Sequence, residues 1–256
     1  MQWARRFFAD LAGSYLDSLH ALKALPWLFA AIIAWEFAQH VVEVRIGMFA
    51  NEEAARAVSQ DGTRMVFGWL KMLSIYIGAF FVVRHFAGNR DGRPLAPTAT
   101  AARRFAPYVV YSLFMFAAIF YAHNFVSEDR VDTLRTIVGL SQVLIEPLMM
   151  AWVVAAASDN RISGPLASAR QTGWLYLLAL PFYLLTRVPV SLLHQELNQR
   201  AIGTQGTELW SILVVDSVVV GVIVAITPAA MVRVARWVEL KHAHIKTAPA
   251  LESAAW

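Results

Sequence analysis

Cysteine is absent from all 256 residues. That removes disulfides, thiolate nucleophiles, Cys-ligated zinc and iron–sulfur clusters from consideration. Charge is scarce as well: Asp, Glu, Lys and Arg make up 16% of the chain, against about 25% in a soluble domain. No P-loop, GxSxG elbow, HExxH helix or Rossmann glycine pattern occurs. No polar stretch is long enough to hold a soluble catalytic domain. The chain is therefore expected not to be an enzyme and to carry no cofactor or metal. Nor does Met1 to His20 read as a cleavable leader, because it lacks a continuous apolar core followed by a small-residue cleavage site.

What is present is hydrophobic mass. Apolar residues account for 58% of the chain, and the mean hydropathy is +0.50. The mass comes in continuous blocks of about twenty residues, the length a helix needs to cross hydrocarbon, rather than in the alternating segments of a β-barrel. The expected fold is all-α and polytopic, with about six transmembrane helices over 26–49, 65–86, 105–125, 136–157, 174–193 and 209–231. These form one domain over residues 1–240, followed by a disordered tail over 241–256. Ahead of them, Trp3, Phe7, Leu11 and Tyr15 recur every four residues, with Phe8, Leu16 and Leu19 filling the same broad side. Arg5, Arg6, Asp10 and Asp17 supply the polar side, so residues 2–23 read as an interfacial amphipathic helix.

Lys and Arg alternate with the blocks. One set of segments holds Arg5, Arg6, Lys23, Arg84, Arg90, Arg93, Arg103, Arg104, Arg161, Arg170, Arg233, Arg236, Lys241 and Lys246. The other holds Arg56, Arg64, Arg130, Arg135 and Arg200, diluted by Glu52, Glu53, Asp61, Glu128, Asp129, Asp132, Glu196 and Glu208. We call these the basic end and the acidic end. The positive-inside rule then puts both termini in the cytoplasm of a bacterial inner membrane. The net charge of +4 reads as topology, not as a nucleic-acid surface. The expected partners are the bilayer and other membrane proteins or further copies of the chain. Trp27, Trp69, Trp152, Trp174, Trp210 and Trp237 near the expected span ends fit an aromatic belt.

Three stretches rhyme: SLHALKALPWLFAAI, ATAARRFAPYVVYSLF and PLASARQTGWLYLLALPF. Each opens a two-span hairpin with a polar loop, which predicts three copies of an amphipathic helix plus hairpin. The sequence Ser163-Gly164-Pro165-Leu166, then Ala169-Arg170 and Gly173-Trp174 opening the fifth span, resembles bacterial six-span YciC-like proteins and the membrane domain attached to some glycerophosphodiesterases. Where those relatives carry a Ser and an aromatic after the Arg, this chain has Gln171 and Thr172. The resemblance covers the second half of the chain. It implies a membrane domain without a known catalytic site and assigns no functional residues.

Ionisable groups inside spans are costly and normally face the bundle interior. The first span carries Glu36, Gln39, His40, Glu43 and Arg45, with positions 36, 40 and 43 on one helical face. The second carries Lys71, the fourth Glu146 just before Pro147, the fifth Arg187 and the sixth Asp216. In the expected orientation His40, Glu43, Lys71, Arg187 and Asp216 lie in the outer half, and Glu36 and Glu146 near the midplane. Two readings stand side by side: an outward-open polar cavity lined by all seven, or static ion pairs that fix helix packing. Pro147, Pro181, Pro189 and Pro228 could loosen helices around such a cavity. His40 with Glu36 and Glu43 has metal-ligand types at helical spacing, but reads as a hydrogen-bonded core cluster. An accessory, assembly or scaffold component is the expected function; the alternative is a small transporter or channel using the polar cavity.

Overall fold

A computed structural model describes residues 2–88, 96–159 and 162–247. Arg90, Arg93, Arg161, the side chains of His244 and Lys246, and the tail beyond 247 lie outside the described residues. The helices are α1 (Gln2–Ala24), α2 (Pro26–Arg45), α3 (Glu52–Ala57), α4 (Gly62–Gly88), α5 (Ala99–Phe120), α6 (Val131–Ala157), α7 (Pro165–Thr172), α8 (Tyr176–Ala201) and α9 (Gly206–Thr247). No strand occurs among the described residues.

Local chemistry sets the boundaries. Leu25 precedes a proline and leaves the helical region, while Pro26 takes the first turn of α2. Asn51 and Thr98 cap α3 and α5 by accepting from Ala54 N and Ala101 N at 2.8 and 3.0 Å. Gly173 ends α7 with a positive φ of 49°. Lys241 Nζ donates there to the carbonyls of Gln171 and Thr172 at 2.8 and 3.2 Å, satisfying groups the helix end leaves bare. Lys241 was expected to begin a disordered tail. Instead it continues α9, because its ammonium has this work on α7.

Five segments are long and apolar enough to cross a membrane: Pro26–Arg45, Gly62–Gly88, Glu128–Ala157, Pro165–Ala201 and Gly206–Ala243. The sixth expected span, α5, falls short because Arg103 and Arg104 occur in every eighteen-residue window of its 22 residues. Even so, α5 is antiparallel to α6 along its length. Thr98 Oγ1 donates to Asp159 Oδ1 at 3.1 Å at one end, and Arg135 Nε donates to Ile119 O at 3.4 Å at the other. Outward faces are apolar, as at Phe114, Leu140 and Leu177. The chain is an all-α polytopic membrane protein.

Hairpins α2–α4, α5–α6 and α8–α9 all form, but they are not equivalent. Helix α9 takes the middle and touches α1, α2, α4, α6, α7 and α8. A Cβ at Gly78 would stand 2.7 Å from Ile32 Cδ1, so glycine there permits the close approach of α4 to α2.

Helix α1 divides its residues otherwise than expected, although Phe7 lies in the core with Trp3 and Leu11 against it. Asp10 and Asp17 face the body of the protein. Arg233 NH1 donates to Asp10 Oδ1 at 2.5 Å and NH2 to Asp17 Oδ2 at 2.5 Å, and Trp237 Nε1 donates to Asp10 Oδ2 at 2.6 Å. Phe8, Leu16 and Leu19 face outward instead, Phe8 with 67% exposure. An exposed apolar stripe flanked by Arg5 and Lys23 still suits a headgroup surface. Trp237 belongs to the core, against Phe7 and Phe182, rather than to a belt.

The helices run through Pro147, Pro181, Pro189 and Pro228. Pro189 has no N–H for the carbonyl of Leu185 four residues back. The hydroxyl of Tyr15 supplies the donor at 2.8 Å, which ties α1 to α8. Partial burial raises the pKa of this hydroxyl above its ordinary range, so it stays a donor.

Candidate functional site: a buried polar centre between four helices

Glu36, Gln39, His40 and Glu43 stand three or four residues apart on α2, and that face turns inward. Glu36 and His40 are each 1% exposed and Asp216, arriving from α9, is 0% exposed. His40 Nε2 lies 3.0 Å from Asp216 Oδ2 and 3.7 Å from Glu36 Oε1. His40 Nδ1 lies 3.0 Å from Glu43 Oε2. Glu43 Oε1 accepts from Gln39 Nε2 at 2.9 Å and from Arg64 Nε at 3.1 Å. Lys71 Nζ donates to Glu36 Oε1 at 3.1 Å.

Asp216 is held from its other side by α8. His194 Nδ1 is 2.7 Å from Oδ1, and Asn198 Nδ2 donates to Oδ2 at 2.9 Å. Asn198 also lines a groove of about 330 Å³ with Met48, Phe49, Arg56 and Ile202 at the acidic end. The centre is thus enclosed, and Lys71, Arg64, His194 and Asn198 form its partly exposed border. Gly203 N donates to Phe49 O at 2.8 Å across the acidic-end loops.

The charges within it do not cancel through permanent cations. Among the described residues, Glu36, Glu43 and Asp216 face only Arg64 and Lys71 as fixed positive groups, which leaves one carboxylate charge for the two imidazoles or a bound cation to balance. Glu36 Oε2 and Gln39 Oε1 are buried with no hydrogen-bond partner, a costly arrangement away from water. Glu36, His40 and Asp216 each offer a ligand atom, and the three atoms lie within 4.8 Å of one another.

Of the seven residues expected to line one cavity, Glu36, His40, Glu43, Lys71 and Asp216 come together here. Glu146 and Arg187 do not join them. Arg187 NH1 donates to Glu146 Oε2 at 2.8 Å, Gln142 Nε2 donates to Glu146 Oε1 at 3.0 Å, and Arg187 also donates to the Tyr183 hydroxyl. Among the described residues no hydrogen bond or ion pair links this group to the first. The single outward-open cavity is therefore replaced by two separate groups, and the larger one is enclosed. The reason is that Glu146 and Arg187 lie on the α6–α8 contact, whereas the larger group fills the space between α2, α4, α8 and α9.

Three members were not anticipated: Arg64, His194 and Asn198. The first stands just before the second expected span, and the other two lie beyond the fifth span's expected end at Leu193. Helix α8 continues to Ala201, and α4 begins at Gly62, so all three are helical. The spacing of His194 and Asn198, i and i+4, was the signal that could have found them.

Together these features define a multi-helix membrane protein with an enclosed carboxylate–histidine centre toward its acidic end. Comparison with protein-family models, curated proteins and solved structures finds no match.

Proposed function

We propose that this chain is a non-enzymatic protein of a bacterial cytoplasmic membrane that takes a small cation into the polar centre, as a small transporter or channel. One observation carries the reading. Three buried carboxylates converge on two permanent cations, leaving one negative charge for the imidazoles of His40 and His194 or a bound cation to balance, in a region where an uncompensated charge is expensive. The partly exposed border at Lys71, Arg64 and His194 offers the approach, from the side the Lys/Arg bias assigns to the exterior. The test is cation flux into vesicles reconstituted with the purified protein. Flux above that of protein-free vesicles is expected for at least one small cation. It should be lost in Glu36→Gln and Asp216→Asn and kept in Glu146→Gln, which lies outside the centre. No flux for any cation would defeat the reading.

A second reading, an accessory or assembly component, is favoured by the Arg187–Glu146 pair. The Arg187 side chain is 31% exposed on a helix read as a span, where a charged side chain open to lipid is costly. A partner helix would cover it. A membrane protein that co-purifies with the wild type and is lost on Arg187→Leu is the expected sign of this role.

A further inference from the structure

We propose that Glu36, His40 and Asp216 bind a divalent transition-metal ion of the zinc, manganese or cobalt class. This rests on the cation-centre reading and names its ion.

One separation matches a shared ion, and the other is a few tenths of an ångström wider than the tetrahedral value. Two donors each about 2.1 Å from one metal stand about 3.0 Å apart at a right angle and about 3.4 Å apart at the tetrahedral angle. His40 Nε2 is 3.0 Å from Asp216 Oδ2 and 3.7 Å from Glu36 Oε1. Glu36 and His40 are one helical turn apart on α2, and Asp216 closes the site from α9.

The surroundings are those of a metal ligand set. His40 turns Nδ1 toward the Glu43 carboxylate, which Gln39 and Arg64 hold in turn. With Nδ1–H donating to Glu43, the lone pair of Nε2 points at two carboxylates. This carboxylate–histidine arrangement is what orients metal-bound imidazoles. Asp216 is fixed likewise by His194 and Asn198. A proton on Nε2 would bridge one donor pair, whereas a metal ion satisfies all three donors at once.

An independent observation points the same way. Glu36 Oε2 is buried and has no hydrogen-bond partner, while Oε1 is taken by Lys71. With Oε2 as the ligand oxygen, a cation removes that deficit while Oε1, the oxygen 3.7 Å from His40 Nε2, keeps Lys71. One imidazole with two carboxylates favours first-row divalent ions over calcium, which takes six to eight oxygens.

The experiment is equilibrium dialysis of the full-length protein in detergent against Zn2+, with Co2+ as a visible-absorption probe. It is paired with thermal unfolding, with and without Zn2+ and Na+. The expected results are one saturable equivalent, a Co2+ spectrum with a nitrogen ligand, and a higher melting temperature in Zn2+. Glu36→Gln, His40→Gln and Asp216→Asn should each lower affinity at least tenfold, and Glu146→Gln should not. Unaltered binding in all three variants overturns the site, because the ion is then held elsewhere. The wild-type melting shift needs no variant to fold, and its absence in Zn2+ and Co2+ also overturns the proposal. A response to Na+ without one to Zn2+ or Co2+ overturns the metal assignment but keeps the cation centre. No response to any ion, with no flux, overturns both.

Discussion

At the scale of single residues, Glu43 has the most revealing position. It touches the His40 ring on the nitrogen that faces away from Glu36 and Asp216, and so acts on the site only through that ring. Gln39 and Arg64 restrain the carboxylate itself. Loss of such a support typically lowers metal affinity by about 10–100-fold without abolishing binding. Glu43→Gln should therefore weaken Zn2+ binding by about that factor and shift the Co2+ absorption, as the imidazole loses its charged partner. Dialysis and the Co2+ spectrum check both; an unchanged spectrum would remove Glu43 from a positioning role. The α2 members of this group were legible in the sequence, because Glu36, His40 and Glu43 fall on one face at helical spacing. Their partners from α8 were not. Leu193 ends the apolar run, and hydropathy carries no record that α8 continues as far as Ala201.

At the scale of elements, α1 depends on a contact that composition could not disclose. An amphipathic reading sorts side chains by polarity and sends Asp10 and Asp17 outward, toward water. The structure sends them inward because α9 presents Arg233 at the same level, more than two hundred residues later in the chain. A cation shared by two carboxylates, with Trp237 donating to one of them, makes the polar side of α1 its docking side. Further links are the Tyr15 hydroxyl on Leu185 O, the edge of Trp3 on Trp174 and the packing of Phe7 on Phe182 and Trp237. Arg233→Met removes the guanidinium bonds to Asp10 and Asp17, each worth roughly 1.5–3 kcal/mol, and leaves Trp237 as a donor to Asp10. It leaves Asp10 and Asp17 facing an apolar side chain. Amide exchange over α1 should then accelerate strongly while α2 and α8 keep their protection. Equal exchange in wild type and variant would show that aromatic packing alone seats α1.

At the scale of the whole molecule, five of the six expected spans are helices long and apolar enough to cross, and α5 falls just short, since Arg103 and Arg104 lower the average of a short helix. Geometry supplies what composition lacks. The start of α5 is bonded to Asp159 just past the end of α6, and the end of α5 lies beside Arg135 near the start of α6. If α6 crosses the bilayer, α5 must return across it, which makes six crossings and puts α1 and the last turns of α9 on one side. The absence of cysteine makes this directly testable, because any introduced thiol is the only one. Thr100, at the basic end, and Glu53 and Asp129, at the acidic end, are exposed. In intact cells a membrane-impermeant maleimide should label Glu53→Cys and Asp129→Cys, and should label Thr100→Cys only after permeabilisation. Labelling of Thr100→Cys together with Asp129→Cys from the same side would mean that α5 does not cross. The reverse pattern, with only Thr100→Cys reactive from outside, would invert the orientation and turn the polar centre toward the cytoplasm. The approach to the cation centre by way of Lys71, Arg64 and His194 would then begin inside the cell, so this labelling pattern fixes the direction in which any flux through the protein must be measured.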